Sequence, residues 1–354
     1  MSRGMRPFLS LLSALIVLTS TGCVFGTGEG EGPVVQVRVP RGTSFTTVTD
    51  SLAKYGIISQ PRLFRTYARL TGADRSIKPG TYGFREGMGW DRVLADLHQG
   101  RILTQRITIP EGWALSQIAP RLAAATDLEP DSVLEYLADP ATAEGFGVPG
   151  PSLEGYLYPA TYTIPLDTPL DTILALMIGE YRKIWTPERR ARADSMGLSE
   201  REIIALASIV EKEARIRAEM PTISAVFHNR LRIGYPLQAD PTVQYALGEH
   251  QSRLLYAHID SVASNPYNTY RHRGIPPGPI ASPSIAAVDA TLYPADVTFL
   301  YFVARPDGSH IFTNSLAEHN RARASLRRER QERQAAGARP SGDSDRSTAA
   351  ESRD

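Results

Sequence analysis

Apolar and polar positions along the first half of the chain follow a repeated pattern: a short alternation, a glycine turn, then apolar residues at helical spacing. Val37-Arg-Val39-Pro40-Arg-Gly42 precedes Val48 and Leu52. Tyr82-Gly-Phe84-Arg-Glu-Gly87 precedes Trp90, Val93, Leu94 and Leu97. Ile107-Thr-Ile109-Pro110-Glu-Gly112 precedes Leu115, Ile118 and Leu122. These predict three strand–turn–helix units, and Tyr162-Thr-Ile164-Pro165, with Leu170, Ile173, Leu174 and Met177 behind it, is a candidate fourth.

The pattern changes at Ser199. Ser199 and Glu202 have the spacing of a capping box, and Ile203, Ala207, Val210 and Ala214 repeat on one helical face. Pro221 opens a second predicted helix that ends near Gly234, and a third begins after Pro241. The stretch from Ser264 to Ile280 is crowded with Pro and Gly and predicts a rigid loop. Ser284 to Leu292 reads as helix. Thr298 to Ala304, Asp307-Gly308 and His310 to Thr313 read as a β-hairpin.

The ends differ from the body. Arg3 and Arg6 precede an uncharged, mostly apolar run from Pro7 to Phe25. As a helix it would span roughly 28 Å, close to the roughly 30 Å of a bilayer core. Positive charge on its N-terminal flank places the rest of the chain outside the cytoplasm. Two export readings fit: an uncleaved single-pass anchor, or a lipoprotein signal ending at Gly22-Cys23, which holds the single cysteine. Gln331 to Asp354 has no aromatic or large aliphatic residue and predicts a disordered tail. One cysteine excludes an intrachain disulfide and a cysteine-based zinc site. A formal net charge of +1, with no basic stripe among aromatics, argues against nucleic-acid binding. Scattered histidines without His-Glu-x-x-His argue against metal catalysis, and no Walker-type loop is present.

The remaining chemistry is carboxylic. Breaking a glycosidic bond needs an acid on the leaving oxygen, and a hydrolase usually adds a second carboxylate. A lytic transglycosylase can work with one, because the muramyl C6 hydroxyl is the acceptor. On the helix from Ser199, Glu211 and Glu213 lie at opposite edges of the apolar arc, and Lys212 points away. Geometry nominates both and does not choose between them. Gln238, Asp240, Asn268 and Tyr270 are polar groups on loops expected near that helix, suited to sugar hydroxyls and acetamido groups. Helix capping by Asp240 and turn formation by Asn268 are the plain alternatives. Glu154 reads as a turn holder, Tyr156, Tyr158 and Tyr162 as packing residues, and His310 and His319 as structural.

Ala207-Ser-Ile-Val-Glu-Lys-Glu213 resembles the signature helix of the YceG-like family, the endolytic murein transglycosylases of the bacterial cell wall. In the family's order come Ile109-Pro-Glu-Gly112, Leu153-Glu-Gly-Tyr-Leu-Tyr-Pro159, Asn229-Arg-Leu-Arg-Ile-Gly234, Leu237-Gln-Ala-Asp-Pro-Thr-Val243, Tyr267-Asn-Thr-Tyr270, Gly274-Ile-Pro-Pro-Gly-Pro-Ile280 and Glu318-His319. The resemblance covers roughly residues 34–325. It implies Glu211, the first of the pair, as acid/base.

The resulting expectation is an α+β protein. It has an N-terminal membrane anchor or lipoprotein signal (1–26), a linker (27–33) and LysM-like strand–helix modules (34–105). A mainly helical, lysozyme-like catalytic domain with a β-hairpin (106–325) and a disordered polar tail (326–354) complete it. The resemblance implies cleavage of nascent glycan strands to 1,6-anhydro-muramyl ends, with no metal or organic cofactor. Its implied partners are peptidoglycan strands, the cell membrane and peptidoglycan synthases. A hydrolytic muramidase and a non-catalytic glycan-binding scaffold are the alternatives.

Overall fold

The computed structural model describes residues 28–249 and 251–337. The expected anchor (1–26), Cys23 and the tail from 338 lie outside the described residues. No helix among those described is long and apolar enough to cross a membrane. The described chain holds fourteen α-helices and three two-stranded antiparallel sheets. It divides into two compact units. One comprises the chain up to Thr108 with Arg121–Pro130 and Thr161–Leu174; the other comprises Ile109–Pro120, Asp131–Ala160 and everything from Ala175. The chain therefore passes from one unit to the other more than once.

In the first unit, β1 (Glu31–Val39) pairs with β2 (Gly80–Glu86) around α1 (Phe45–Lys54) and α2 (Pro61–Thr71), and α3 (Trp90–Gln99) comes next. Strand β1 begins inside the expected linker. Val37 and Val39 are buried while Arg38 is exposed, as alternation on a one-sided sheet requires. They pack with Leu52, Phe64, Tyr82, Phe84, Trp90 and Leu97 in one apolar core. Phe64 meets Trp90 edge-on at 5.4 Å, a favoured aromatic geometry. Ser44 caps α1, and Gly72 and Gly100 end α2 and α3 in left-handed conformations. The third and fourth sequence units supply β3 (Thr104–Thr108) and β4 (Thr161–Pro165), which pair antiparallel with Ile107 opposite Tyr162. Helix α4 (Leu115–Thr126) lies after β3 in the chain.

Between β3 and β4 the second unit contributes α5 (Pro130–Ala138), α6 (Pro140–Gly145) and the Leu-Glu-Gly-Tyr turn. Then come α7 (Leu170–Lys183), α8 (Pro187–Met196), α9 (Glu200–Glu213), α10 (Met220–Arg232), α11 (Asp240–Leu247), α12 (Tyr256–Ser261) and α13 (Ile285–Leu292). Helix α9 is the centre of this unit. Ile203 through Val210 are all buried, so apolar residues surround the helix rather than striping it. Its start carries the capping box of Ser199 and Glu202. Helix α8 is joined to α13 by a fork in which the Arg189 guanidinium donates to both Asp289 oxygens at 2.7 and 3.0 Å.

The hairpin is β5 (Tyr301–Ala304) and β6 (His310–Thr313), with Gly308 in the left-handed region of its turn. Strand β5 starts three residues later than alternation suggests. Asn229 explains the delay: its amide donates to the carbonyls of Val297 and Phe299, which holds that segment to α10. The last helix, α14, runs from Leu316 to Gly337. Residues 326–337, expected in a disordered tail, are therefore helical.

Candidate active site

A cleft of about 1130 Å³ lies within the second unit. That exceeds the usual size of a small-molecule site and gives room for several sugar rings. Its walls come from the N-terminus of α4, the Leu-Glu-Gly-Tyr turn, the end of α9, α11 and the segment up to Leu254, with Ala304 and His310 of the hairpin. Three acidic side chains that bear on the chemistry line it: Glu154, Glu213 and Asp240.

The motif glycines and the mid-helix serine bring these walls together. Ser208, wholly buried in α9, accepts a hydrogen bond from the Ile280 N–H at 3.0 Å and donates to the Ala205 carbonyl. This pins the Pro-Pro-Gly-Pro loop against the helix. Gly155 has φ +80°, and a Cβ there would come within 2.4 Å of Pro279. Only glycine satisfies both the backbone conformation and that approach.

The two candidate glutamates of α9 part company. Glu211 accepts from both the N–H (3.0 Å) and the hydroxyl of Ser284, the residue that also caps α13. Its carboxylate is engaged in anchoring one helix start to another helix end. Glu213, two residues on, is half-buried at the cleft wall. Burial pushes its carboxyl up to about 8, and the nearby Asp240 carboxylate adds to the rise. The Arg230 guanidinium and the Asp240 backbone N–H oppose it without cancelling it. The resemblance points to Glu211. Both are half-buried at this helix end, and Glu213 is the one that lines the cleft with a raised carboxyl; two residues turn a helix through roughly 200°, so the two side chains serve different neighbours.

Asp240 is exposed in the cleft and is the first residue of α11; Ala239 occupies the N-cap, with no side-chain cap bond. The capping alternative is therefore replaced by a different contact, a hydrogen bond from the Tyr270 hydroxyl. Burial, and then the Asp240 charge, hold that phenol well above its ordinary value, so it stays a donor. Tyr270 thus reaches the cleft through Asp240. Asn268 does not reach it. Its side chain is fully buried, with the amide donating to the Ile259 and Val262 carbonyls and the carbonyl accepting from the Tyr270 N–H. Every polar atom is used on backbone, which corrects its assignment to substrate. Gln238 is half-buried with φ 48°, and its N–H donates to the Thr269 carbonyl. It shapes the loop before Asp240 rather than lining the cleft.

Arg230 supports this corner from behind. Its guanidinium donates to the carbonyls of Leu300 and Leu237 and lies over the rings of Tyr235 and Tyr301. One buried cation therefore ties the hairpin, α10 and the loop entering α11 together.

Glu154 carries more than a turn. It is 3% exposed, and the Leu115 N–H donates to both of its oxygens at 3.2 and 3.1 Å. Tyr245 and the Gly155 N–H also bond to it, yet burial raises its carboxyl to about 8. A charged residue set between Leu153 and Tyr156, both fully buried, was the available sequence signal. His310 is held by Glu219 at 2.7 Å, and Tyr156 packs against Tyr181, as structural readings of both require. No cluster able to hold a metal ion occurs among the described residues.

These features define an α+β protein with a saccharide-sized cleft and a protonated glutamate at the end of its central helix. The chain belongs to the YceG-like family, which matches residues 37–325. It is 33% identical over 305 residues to the endolytic murein transglycosylase of Bacillus subtilis, covering 82% of this chain and 84% of that protein. The protein of the same name from Streptococcus pneumoniae serotype 2 is 29% identical over 81% of this chain, which spans 57% of its length. A crystal structure of a YceG-like protein from Listeria monocytogenes superposes with a TM-score of 0.57 at 31% identity, covering 82% of this chain and all of that one.

Proposed function

We propose that this protein is an endolytic murein transglycosylase that uses Glu213, not Glu211, as its acid/base. The observation that supports the assignment is the position of Glu213 on the cleft beside Asp240 with its carboxyl raised to about 8, whereas Glu154, raised as far, is 3% exposed and has both oxygens taken by the Leu115 N–H. Glu213 donates its proton to the glycosidic oxygen as the muramyl C1–O bond breaks. The resulting carboxylate then takes the proton of the C6 hydroxyl as O6 closes on C1. The product is a 1,6-anhydro sugar, no water is consumed, and Glu213 ends as it began. Asp240, oriented by Tyr270, places a negative charge beside the oxocarbenium-like centre.

Asp240 also supports a second reading. Two carboxyl groups at one cleft are the equipment of a hydrolase, with Asp240 activating water. Digesting uncrosslinked peptidoglycan with wild type, Glu213→Gln and Glu211→Gln, and weighing the fragments, separates these readings. Anhydro-muramyl ends from wild type and Glu211→Gln but not from Glu213→Gln support the lyase. Reducing ends with added water support the muramidase. Bound but uncut glycan supports a scaffold.

The apolar run of residues 1–26, with its basic flank, supports anchoring on the outer face of the cell membrane, where nascent strands and their synthases lie. The strand–helix–helix–strand order of β1 to β2 supports a LysM-like accessory role for that lobe.

A further inference from the structure

Two positive charges flank Glu213 in the chain, and both line the cleft: Lys212 and Arg215. Their surroundings differ from those of the next cation. Arg217 is paired with Glu111 at 3.4 Å. Lys212 instead donates to a neutral partner, the Gly112 carbonyl, at 3.1 Å. Its charge is felt by Glu154, which is itself protonated near neutrality. Arg215 has no hydrogen bond and no ion pair among the described residues. Yet Arg215 is not a loose surface side chain. Its Cβ and Cδ pack on Gly308, where an added Cβ would lie 3.5 Å from each. The buried glycine of the hairpin turn thus fixes the stem and leaves the guanidinium fork uncommitted at the cleft.

We infer that Arg215, assisted by Lys212, receives a carboxylate of the stem peptide carried by the muramyl residue being cut. This rests on the proposed function and specifies its substrate as peptide-bearing glycan. The chemistry of the substrate fixes the geometry. The peptide hangs from the C3 lactyl group of the same sugar whose C1 bond breaks. A group that meets it must stand close to the acid, and Arg215 lies two residues after Glu213, where the chain leaves α9 in an extended conformation at Ala214. A peptide-free strand keeps only the lactyl carboxylate, held close to C3, and lacks the carboxylates that the peptide carries further out, where the Arg215 fork is free to meet them.

The test compares kcat/KM of the full chain on glycan bearing tripeptide stems with kcat/KM on the same glycan after amidase has removed them. Wild type is expected to favour the peptide-bearing strand by roughly three- to tenfold, the range of a charge-assisted pair at a partly solvated site. In Arg215→Ala that ratio should fall to near one, and Arg215→Lys should recover part of it. An unchanged ratio in Arg215→Ala, with an unchanged melting temperature, overturns the inference. Cleavage of peptide-free glycan by wild type tests the proposed function separately. Binding gives a readout that needs no turnover: a soluble disaccharide tripeptide and the bare disaccharide are titrated into Glu213→Gln with and without Arg215→Ala. Equal affinities for the two ligands in the Arg215-containing protein also overturn it, whatever the catalytic result.

Discussion

Glu211 and Glu213 stand two residues apart at the end of α9 and serve different neighbours: Glu211 accepts from Ser284, and Glu213 faces the cleft beside Asp240. Their substitutions should separate accordingly. Glu213→Gln keeps the shape and removes the proton, so turnover of glycan should fall by about a thousandfold or more, with the fold intact. Glu211→Ala leaves the Ser284 N–H and hydroxyl without their acceptor and should lower stability by ~1–3 kcal/mol while anhydro product still forms. Paired activity assays and denaturant melts decide the matter. Loss of chemistry in Glu211→Gln with full activity in Glu213→Gln would reverse the assignment.

The raised carboxyl of Glu213 sets a pH limit. As a general acid it works only while protonated, so kcat/KM should decline as pH rises through about 8. Rate profiles between about pH 5 and 9.5 would show the limb, and Asp240→Asn, which removes a nearby negative charge, should move it to lower pH.

Glu154 links pH to stability rather than to rate. Its carboxyl is raised from the ordinary carboxylate range to about 8 in the folded protein, so the unfolded chain ionises first. The contribution of this carboxyl to stability is fully present below pH 4.5 and declines as pH climbs from there to about 8. By linkage the loss is at most about 5 kcal/mol, so a few kcal/mol is expected over that interval. Glu154→Gln cannot ionise, and its melting temperature should vary less over that interval. Parallel slopes for the two proteins would refute this.

Gly155→Ala must place a Cβ where Pro279 stands, at a φ that L-residues avoid. A loss of at least ~2 kcal/mol is expected, visible in thermal melts.

Asn268→Ala strips donors from two carbonyls and an acceptor from the Tyr270 N–H. The cost should be ~2–4 kcal/mol. Any loss of activity should track unfolding rather than a raised KM; a purely kinetic effect on a stable protein would restore Asn268 to the substrate site.

Much of this was legible in the sequence because periodicity reports local burial. The Ser199 cap, the helix it starts and the four strand–helix units, from Val37 to Met177, come from spacing alone. The choice between Glu211 and Glu213 did not. Both sit at the edge of the same apolar arc, and their difference comes from Ser284 and Asp240, 73 and 27 positions downstream of their respective partners. Asn268 misled for a related reason: a polar side chain in a Pro-rich loop serves buried carbonyls as readily as sugars. The shift of β5 from Thr298 to Tyr301 depended on Asn229 in another helix.

Strand β3 pairs with a strand that begins 53 residues beyond Thr108, and the intervening chain belongs in large part to the other unit. During synthesis at roughly 5–20 residues per second, β3 therefore emerges several seconds before its partner exists. The lobe from β1 to α3 can close on its own apolar core in that interval. The cleft cannot, since its walls reach from Ala114 to His310. A partly made chain would thus fold at its N-terminal end while its cutting edge is still absent, and lytic capacity would arrive only once the chain through His310 has left the ribosome.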